Sequence, residues 1–380
     1  MRVLVVNAGS SSVKLSLLGD GDTPLAEQEL DAPRSVIEPG ALEAALKAGL
    51  SDADAVGHRI VHGGERFRKA VLIDSSVEHE LGELVDLAPL HQPKSLAALR
   101  AVSDALPGLP AVACFDTAFH ATLPEAASTY ALPAQWRDRW RVRRYGFHGL
   151  SHAWIAHRVP EMLGAGTGGA RIVSCHLGAG ASLCAIADGR SIDTTMGFTP
   201  LEGLVMATRS GSVDPGLLLW LLERTELSER ELADALEHDS GLLGLAGSAD
   251  MRDVIAGAAK DEPRARLALD VYVHRLRSGI ASMAAALGGL DALAFTGGVG
   301  EHAPEIRSAA LAGLGFLGAA IDESANAGGD ADRDISAATA SVSTLVVKAR
   351  EDVEIARQTR RVLEAGTRVS PPRTRDPTVQ

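Results

Sequence analysis

One short motif occurs twice in the chain, and this repetition limits the folds that the sequence can adopt. Residues 2–21 read RVLVVNAGSSSVKLSLLGDG, and residues 171–189 read RIVSCHLGAGASLCAIADG. In each copy an arginine precedes an apolar run, a polar loop with glycine, and a second run in which apolar and polar residues alternate. Alternation with a period of two is typical of strands, so each copy is predicted to form a hairpin.

The two copies align residue by residue. Asn7 falls on His176 and Gly9 on Gly178, with one residue inserted in the second loop. The repeat predicts an internal duplication, in which each half carries one such hairpin and a ligand lies in the cleft between the halves. Chance similarity of two glycine-rich hairpins is the alternative.

The first loop, NAGSSS, offers small residues and backbone amides. A Walker-type loop would carry GxxxxGK[ST] and open into a helix, and neither condition is met. Gly9 lets the backbone approach a ligand closely, and Ser10, Ser11 and Ser12 add amide and hydroxyl donors. The loop is therefore predicted to hold an anion, although a serine-rich surface turn would have the same composition.

Composition restricts the class of protein. A length of 380 residues predicts two domains, and 46% hydrophobic with 23% charged residues is ordinary for a globular protein. The net charge of −12 argues against a partner that is nucleic acid or a membrane surface. Cys114, Cys175 and Cys184 lie in apolar contexts without metal-ligand spacing, so we expect reduced core thiols in a cytoplasmic protein.

The rest of the chain alternates helix-like and strand-like segments, which predicts an α/β fold. Helices are predicted over 78–87, 95–106, 151–163, 214–224, 264–288, 303–313 and 352–366, and strands over 54–61, 111–116, 292–296 and 344–349. The loop 322–334 is rich in Gly and Asp, and the tail 369–380 has almost nothing to bury, so we expect the tail to be disordered.

Two motifs do not carry a site. GLGFLG at 313–318 fits GxGxxG but follows a helical run, so the strand that a dinucleotide loop requires is absent from this pattern. His58 and His62 share one face of a β-branched run without a third evident ligand, which argues against a zinc site.

Four polar residues follow or flank predicted strands and glycine turns: Arg59, Asp116, His148 and Arg209. Asp116 comes directly after the apolar run AVACF, where carboxylates of α/β active sites tend to lie. Taken singly, the arginines could be surface ion pairs and His148 a core histidine. Together with two anion loops, they predict a site that clamps phosphate or carboxylate.

The sequence resembles a known family. NAGSSSVK, HRIVHGGE, APLHQP, FDTAFH, RRYGFHG, HLGAGAS, SIDTTMGFTPLEGLVMATRSG, SGLLGLAGSADMRD, FTGGVGEHAPEIR and EDVEIA run in order from residue 7 to residue 356. They are similar to the acetate kinases of the acetokinase family, which also holds propionate and butyrate kinases. The resemblance covers nearly the whole chain.

The resemblance implies duplicated ribonuclease H-like, actin-like ATPase domains with an interdomain cleft. We expect one domain from residues 1–115 with 353–380 and a second from residues 116–352. It also implies a homodimer that uses ATP and Mg²⁺, for which Mn²⁺ can substitute, to convert acetate into acetyl phosphate and ADP. Propionate or butyrate remains open as the acyl acceptor.

The resemblance also implies roles for individual residues. Asn7 and Glu351 would lie beside the metal, Arg59 would hold the acyl carboxylate or phosphate, and Asp116 would be the catalytic carboxylate. His148 and Arg209 would stabilise the transition state, and His91 would lie near the path of the phosphoryl group. The methyl end of the acid would meet Val61, Leu90, Phe147 and Pro200. The nucleotide would meet Lys14, His176, Leu177, Gly178, Ala179, Gly180, Asp250, Met251, Arg252, Gly297, Gly298, Val299, Gly300 and Glu301.

Three stretches depart from the family's usual pattern. Ala179 and Ala181 stand where the second loop usually has an amide and a hydroxyl, and His302 stands where asparagine usually lies beside the adenosine pocket. These changes leave ATP, another nucleotide or pyrophosphate open as the donor. Gln92 replaces the usual asparagine with the chemistry kept.

Two further classes of function compete with a kinase. An ATP-driven binding or chaperone-like protein of the same fold would hydrolyse ATP with water and would need neither an acyl pocket nor a second arginine. A regulatory protein could bind the same ligands without catalysis.

Overall fold

The computed structural model describes residues 1–9, 12–31, 39–87, 92–164, 169–329 and 331–367. The chain divides into a first unit, Met1–Ala118 together with the helix that begins at Glu351, and a second unit, Phe119–Arg350. The tail 369–380, for which we expected disorder, lies outside the described residues.

The described residues form strands and helices that alternate along the chain. The strands are β1 Val3–Ala8, β2 Ser12–Leu18, β3 Pro24–Asp31, β4 Ala55–Ile60, β5 Val71–Leu72, β6 Ala111–Phe115, β7 Arg171–Leu177, β8 Ala181–Ala187, β9 Arg190–Thr194, β10 Ala292–Thr296, β11 Arg333–Asp334 and β12 Ser343–Val346. The helices are α1 Pro39–Ala45, α2 Ser75–Glu83, α3 Gln92–Ala105, α4 Glu125–Ser128, α5 Ala134–Trp140, α6 Gly149–Met162, α7 Pro215–Arg224, α8 Glu229–His238, α9 Gly241–Ala246, α10 Met251–Ala259, α11 Pro263–Ala286, α12 Gly297–His302, α13 Pro304–Leu311, α14 Glu323–Ala327 and α15 Glu351–Thr367.

The two units contain sheets of the same connectivity. The first sheet has the order β3-β2-β1-β4-β6-β5, and the second, read from its other edge, has the order β9-β8-β7-β10-β12-β11. In both, the three central strands are parallel and the outer ones antiparallel, because each hairpin is followed by crossovers that return the chain in the same direction. This equivalence confirms the duplication predicted from the repeated motif.

The repeated motif forms the hairpin of each sheet, as predicted. Ala8 pairs with Val13 in the first hairpin, and Leu177 pairs with Ala181 in the second. Four residues therefore separate the first pair and three the second, so the extra residue belongs to the first loop. The placement of an insertion in the second loop was wrong.

Helices cover both faces of each sheet, as buried parallel strands require. Val56 and Ile60 of β4 face α3 and its leucines, while Gly57 faces α15. A Cβ on Gly57 would lie 2.5 Å from Thr359 Oγ1, so only glycine permits this close approach of helix and sheet. In the second unit α6 and α11 pack on opposite faces of the sheet.

Most of the predicted elements are present with shifted ends. The prediction over 264–288 corresponds to α11 Pro263–Ala286, and that over 54–61 to β4 Ala55–Ile60. The helix α12 Gly297–His302 was missed because its first turns are glycine-rich, a composition unfavourable to helices without tertiary support. The three cysteines are free and buried, which confirms core thiols. Within the described ranges, none of the helices combines the length and apolar character needed to cross a membrane.

Buried histidines make the fold sensitive to acid. His58 lies within β4 and is buried, and neither of its ring nitrogens has a hydrogen-bond partner among the described residues. Burial lowers the pKa of His58 to about 4. The unfolded chain takes up a proton near pH 6.5 and the folded chain only near pH 4, so stability falls as the pH drops through this window.

We therefore expect the substitution His58→Leu to reduce the acid sensitivity of unfolding. The slope of the free energy of unfolding against pH should decrease by about 1.4 kcal/mol per pH unit between about pH 6 and 5. The reason is that one proton no longer binds preferentially to the unfolded chain. Urea unfolding at several pH values measures this, with His79→Leu as the control because His79 is exposed. Equal pH dependence in wild type and His58→Leu would contradict the expectation.

Candidate active site

Four of the predicted residues meet in the first unit. Arg59 comes from β4, Asp116 follows β6, Asn7 lies near the end of β1, and Glu351 begins α15. Arg59 Nε donates to both oxygens of Asp116 at 3.1 Å, and Nη2 donates to Oδ2 at 2.6 Å. Arg59 Nη1 donates to Asn7 Oδ1 at 3.0 Å, and Asn7 Nδ2 donates to Glu351 Oε2 at 2.9 Å. The ends of three parallel strands thus bring an amide, two carboxylates and a guanidinium together.

The charges of this cluster depend on one another. Asp116 is only 1% exposed, and burial raises the pKa of its carboxyl group, while Arg59 acts in the opposite direction. Burial alone would lower the pKa of the Arg59 guanidinium. The negative charges of Asp116 and Glu351 have the larger combined effect and raise this pKa above its ordinary value. Arg59 therefore stays a cation, and it uses several of its N–H groups to hold the surrounding oxygens.

The oxygens of this cluster suit a hard divalent cation. Asn7 Oδ1 and the carboxylates of Asp116 and Glu351 are the ligand types that Mg²⁺ prefers. Mg²⁺ commonly takes only one or two protein carboxylates and completes its shell with water and substrate phosphates. The donor set therefore fits the Mg²⁺ that the sequence resemblance implies. Lys14 lies opposite Asn7 in the hairpin, which places both side chains on the same face of the sheet.

A second group of predicted residues meets in the second unit, around Gly180. A Cβ on Gly180 would lie 3.2 Å from His148 Nε2 and 3.5 Å from Arg209 Nη1. Two side chains with N–H groups thus converge on one point above a glycine. Arg209 is anchored by Glu237, whose Oε2 is 3.0 Å from Nε, and its Nη1, which lies near Gly180, also donates to Pro200 O at 3.4 Å.

The backbone of His148 has an unusual conformation. Its φ of 56° and ψ of 24° lie in the left-handed region, and it precedes the first residue of α6. Non-glycine residues adopt this region at a cost, and such strain is concentrated at functional positions. His120 supports the segment, because its Nε2 is 3.0 Å from Phe147 O and its ring packs against Gly146.

Two of the three predicted nucleotide loops adjoin each other in the second unit. Gly297 has a φ of 79°, and a Cβ there would lie 2.9 Å from Leu177 O, so glycine is required on both counts. Glu301 Oε1 accepts from the amides of Gly297 and Ala349, at 3.0 and 2.9 Å. Glu301 therefore shapes this loop. The other loop joins β7 to β8, with His176 and Leu177 at the end of β7 and Gly178, Ala179 and Gly180 between the two strands.

The third predicted nucleotide segment begins α10. Asp250 caps this helix by accepting from Arg252 N at 2.9 Å, and the carboxylate also pairs with the Arg252 guanidinium. The Arg252 side chain is 89% exposed, whereas Met251 is buried. Of these two side chains, only that of Arg252 is therefore at the surface.

The predicted acyl-pocket residues are divided between the units. Val61 follows β4 in the first unit, and Phe147 and Pro200 belong to the second, where each is buried. Leu90 and His91 lie outside the described residues. Their predicted contacts with the acid stay predictions.

Comparisons with known proteins identify the family. The family model described as "Acetokinase family" matches residues 40–357. The chain belongs to the acetokinase family. An acetate kinase from Nostoc punctiforme is 46% identical over 351 residues, covering 92% of this chain and 81% of the relative.

Solved structures of the family share the fold. The acetate kinase of Porphyromonas gingivalis superposes with a TM-score of 0.87 at 37% identity, and covers 95% of this chain and 99% of its own. A propionate kinase from Francisella tularensis has the same TM-score and coverage at 35% identity. The duplicated α/β fold expected for this acetokinase is thereby confirmed.

Gln92 keeps the chemistry of the amide that acetokinases usually carry there. Its Oε1 accepts from His62 N, and its Nε2 donates to His62 O, both at 3.2 Å. The side chain therefore ties down the segment that follows Arg59 and Val61. His302 is the last residue of α12, and Ala181 is fully buried in β8.

Several residues that hold the acetokinase site were missed in the sequence. Glu202 accepts from Tyr130 at 2.6 Å and from Arg144 at 2.8 Å, and Arg144 also donates to the carbonyls of Thr195 and Met196. This network holds the loop that leads to Pro200. No spacing rule identifies it, because its members are far apart in sequence.

Arg307 was missed as well. It is fully buried and donates to the carbonyls of Gly300 and Glu301, and to Asn326 Oδ1 and O. Burial lowers the pKa of this guanidinium to about 10. Arg307 therefore fastens the end of the Gly297–Glu301 loop with a buried charge. Its position in the predicted helix 303–313 was the available signal, because helices of α/β folds have a buried face.

Two substitutions test which carboxylate is the main partner of Arg59. Asp116→Asn should lower the free energy of unfolding by about 3 kcal/mol, because Arg59 then loses the buried carboxylate that pairs with it. Glu351→Gln should cost about 1 kcal/mol or less, because Arg59 Nη1 and Glu351 Oε2 are 3.9 Å apart. Denaturant unfolding of both variants provides the comparison, and equal losses would show that Asp116 is not the main partner.

Proposed function

We propose that this acetokinase is an acetate kinase, which transfers the γ-phosphoryl group of ATP to acetate and forms acetyl phosphate and ADP, reversibly and in line. The observation that carries the proposal is the division of charge between the two polar clusters. One holds oxygens suited to a divalent cation around Arg59, and the other points His148 and Arg209 at one position above Gly180. The 46% identity with the Nostoc punctiforme acetate kinase supports the same reading.

The acceptor explains why cations dominate the proposed chemistry. A carboxylic acid with a pKa near that of Glu, about 4.3, is already ionised at neutral pH, so it needs no general base to act as a nucleophile. The barrier comes from bringing one anion to another. Preorganised donors that meet the developing charge lower such a barrier most effectively.

The contacts in the first unit support the roles that we propose for its residues. Arg59 would bind the acyl carboxylate or phosphate with the N–H groups that Asp116 does not occupy, and Lys14 would contact a nucleotide phosphate. Asn7 and Glu351 would hold Mg²⁺ or Mn²⁺ directly or through water, and the cation would neutralise phosphate charge. Asp116 would orient a water of that cation, since its carboxylate is already paired with Arg59.

Roles in the second unit concern the phosphoryl group and the nucleotide. Arg209 and His148 would donate to the phosphoryl oxygens as charge develops on them. The adjoining loops at His176–Gly180 and Gly297–Glu301, together with Asp250–Arg252, would receive the nucleotide, because glycine permits close approach of the backbone. His91, which lies outside the described residues, would act near the path of the phosphoryl group.

The length of the acyl chain has one alternative with structural support, since the Francisella tularensis propionate kinase shares the fold at 35% identity. Val61, Leu90, Phe147 and Pro200 are medium to large side chains, which favours the shortest acid. A methylene forced into a filled pocket costs about 1 to 3 kcal/mol. We propose acetate as the best acceptor, propionate within about tenfold, and butyrate poorer. The three buried free thiols fit the reducing cytoplasm, where we place the enzyme.

A hydroxamate assay tests the proposed function. Purified protein with ATP, Mg²⁺ and acetate should form a product that hydroxylamine traps as acetohydroxamate, and kcat/KM should fall from acetate to propionate to butyrate. ATP hydrolysis without trapped product would favour the chaperone-like alternative, and ligand binding without turnover a regulatory protein. Butyrate equal to acetate would overturn the pocket assignment.

The same assay tests Arg209. Arg209→Ala should lower kcat by about 10² to 10³-fold, because one preorganised donor is lost, while the KM for ATP changes little. Arg266→Ala is the matched control, because Arg266 is an exposed arginine that also pairs with a carboxylate, that of Asp261. Near-normal turnover of Arg209→Ala would reduce Arg209 to a structural partner of Glu237.

We also propose a homodimer that forms through α7. This helix reads PGLLLWLLER and has none of its residues buried, with Leu217, Leu219 and Trp220 exposed by 45%, 62% and 55%. Contiguous apolar surface of this kind marks interaction sites. A second copy of the chain is the proposed occupant, in agreement with the assembly that the family resemblance implies.

Light scattering tests the dimer. The wild type should have twice the mass of one chain, and Leu219→Glu should shift it toward the monomer, because a charge at an apolar interface loses its hydration. Phe316→Glu is the control, since Phe316 is 75% exposed outside α7. A Leu219→Glu protein that remains dimeric would exclude α7 as the interface.

A further inference from the structure

A continuous hydrogen-bonded chain of buried side chains leads to the ring of His148. His148 Nδ1 is 3.0 Å from Ser182 Oγ, and Ser182 Oγ is 2.9 Å from His152 Nε2. The other ring nitrogen of His152, Nδ1, is 2.9 Å from Ser174 Oγ. Ser174, Ser182 and His152 have no exposed surface at all. The chain therefore connects His148 to two positions of the sheet beneath α6.

The local structure explains why these residues meet. His148 directly precedes α6, and His152 lies in its first turn, where its backbone N–H donates to His148 O at 3.0 Å. Ser174 of β7 and Ser182 of β8 belong to the sheet face that α6 covers. The helix and the hairpin thus place two histidines and two serines in alternation.

The donors and acceptors in this chain can be counted. Burial, together with the neighbouring His120 and His176, lowers the pKa of His152 well below its usual value, so His152 is neutral with one donor and one acceptor nitrogen. Each serine hydroxyl donates one proton and can accept another. The hydrogen bonds can then run in one direction. Ser174 donates to His152, His152 donates to Ser182, and Ser182 donates to His148. In this order the His148 Nδ1 is an acceptor, and the neutral His148 ring carries its proton on Nε2.

We propose that Ser182 and His152 are positioning residues that hold the neutral His148 ring with Nε2–H directed to the point above Gly180, where Arg209 Nη1 also converges. The inference deepens the proposed function, on which it rests, by naming what orients the donor that meets the phosphoryl group. The relay supplies that donor without placing a second positive charge beside Arg209. It also offsets the strained backbone of His148, since the ring is held even though the residue occupies the left-handed region.

Nitrogen NMR of the histidine rings tests the relay without using activity. In protein labelled with ¹⁵N-histidine, at a pH where the His148 ring is neutral, Nε2 should be protonated and Nδ1 should not. The His148 signals are assigned by their loss in His148→Ala. A neutral ring with the proton on Nδ1 would overturn the proposed direction of the relay.

Ser174→Ala separates a relay from a local contact. Ser174 bonds to His152 and is two hydrogen bonds removed from His148. If the relay sets the ring, Ser174→Ala should change the His148 nitrogen shifts, because His152 loses the donor to its Nδ1 and can change tautomer. Unchanged His148 shifts in Ser174→Ala would overturn the part of the proposal that concerns His152.

Kinetics test the consequence for the reaction. Ser182→Ala should lower kcat by about 10- to 100-fold, because a misplaced donor loses much of its effect, while KM for ATP and acetate stays within about threefold. Ser128→Ala is the matched control, since Ser128 is also a buried serine of the second unit with a hydrogen-bonded hydroxyl. A kcat for Ser182→Ala within about twofold of the control would overturn the positioning role.

The failure of this inference can be told apart from failure of the proposed function. If the wild type yields no acetohydroxamate, the proposed kinase function is wrong. The NMR experiment still shows which nitrogen of the His148 ring carries the proton. If the wild type is active and Ser182→Ala leaves kcat unchanged, the positioning role is wrong and the proposed function still holds.

Discussion

The bond between Arg59 and Asp116 is the interaction on which the polar residues of the first unit depend. A guanidinium and a carboxylate at the ends of adjacent strands would each be costly to bury alone. Paired, they also hold Asn7 and, through it, the first residue of α15. Residues separated by nearly the whole chain are thereby arranged around one cation. The same pairing limits which oxygens and N–H groups remain to meet a ligand.

The two units share one fold but carry different polar side chains at equivalent positions. In each unit a helix begins beside the first strand of the hairpin, α15 in the first and α6 in the second. Asn7 and His176 occupy equivalent positions and bond to these helix starts, through Glu351 and Ser151. Near these helix starts the first unit has carboxylates, and the second unit has histidines. A fold repeated by duplication thus allows its two halves to carry different side-chain chemistry at equivalent positions.

Buried histidines have different consequences according to their partners. His58 has no partner for either nitrogen among the described residues and lowers stability in acid. His120 and His152 are equally buried, yet each nitrogen meets a hydroxyl or a carbonyl oxygen. Neutral rings in such chains satisfy one donor and one acceptor, which orients their neighbours without burying charge. This is how uncharged groups can hold a catalytic side chain in place.

The sequence by itself determined the two hairpins, the α/β class, the family, and the positions of Asp116 and Arg59 next to strands. These features depend on local periodicity and on motifs that are continuous in the chain. Only the tertiary structure decided that Glu301 and Arg307 shape the Gly297 loop, that Ser182 and His152 lead to His148, and that Glu237 anchors Arg209. Such partners are distant in sequence, and hydrogen bonds between distant residues depend on how helices and sheets pack, which no local pattern encodes.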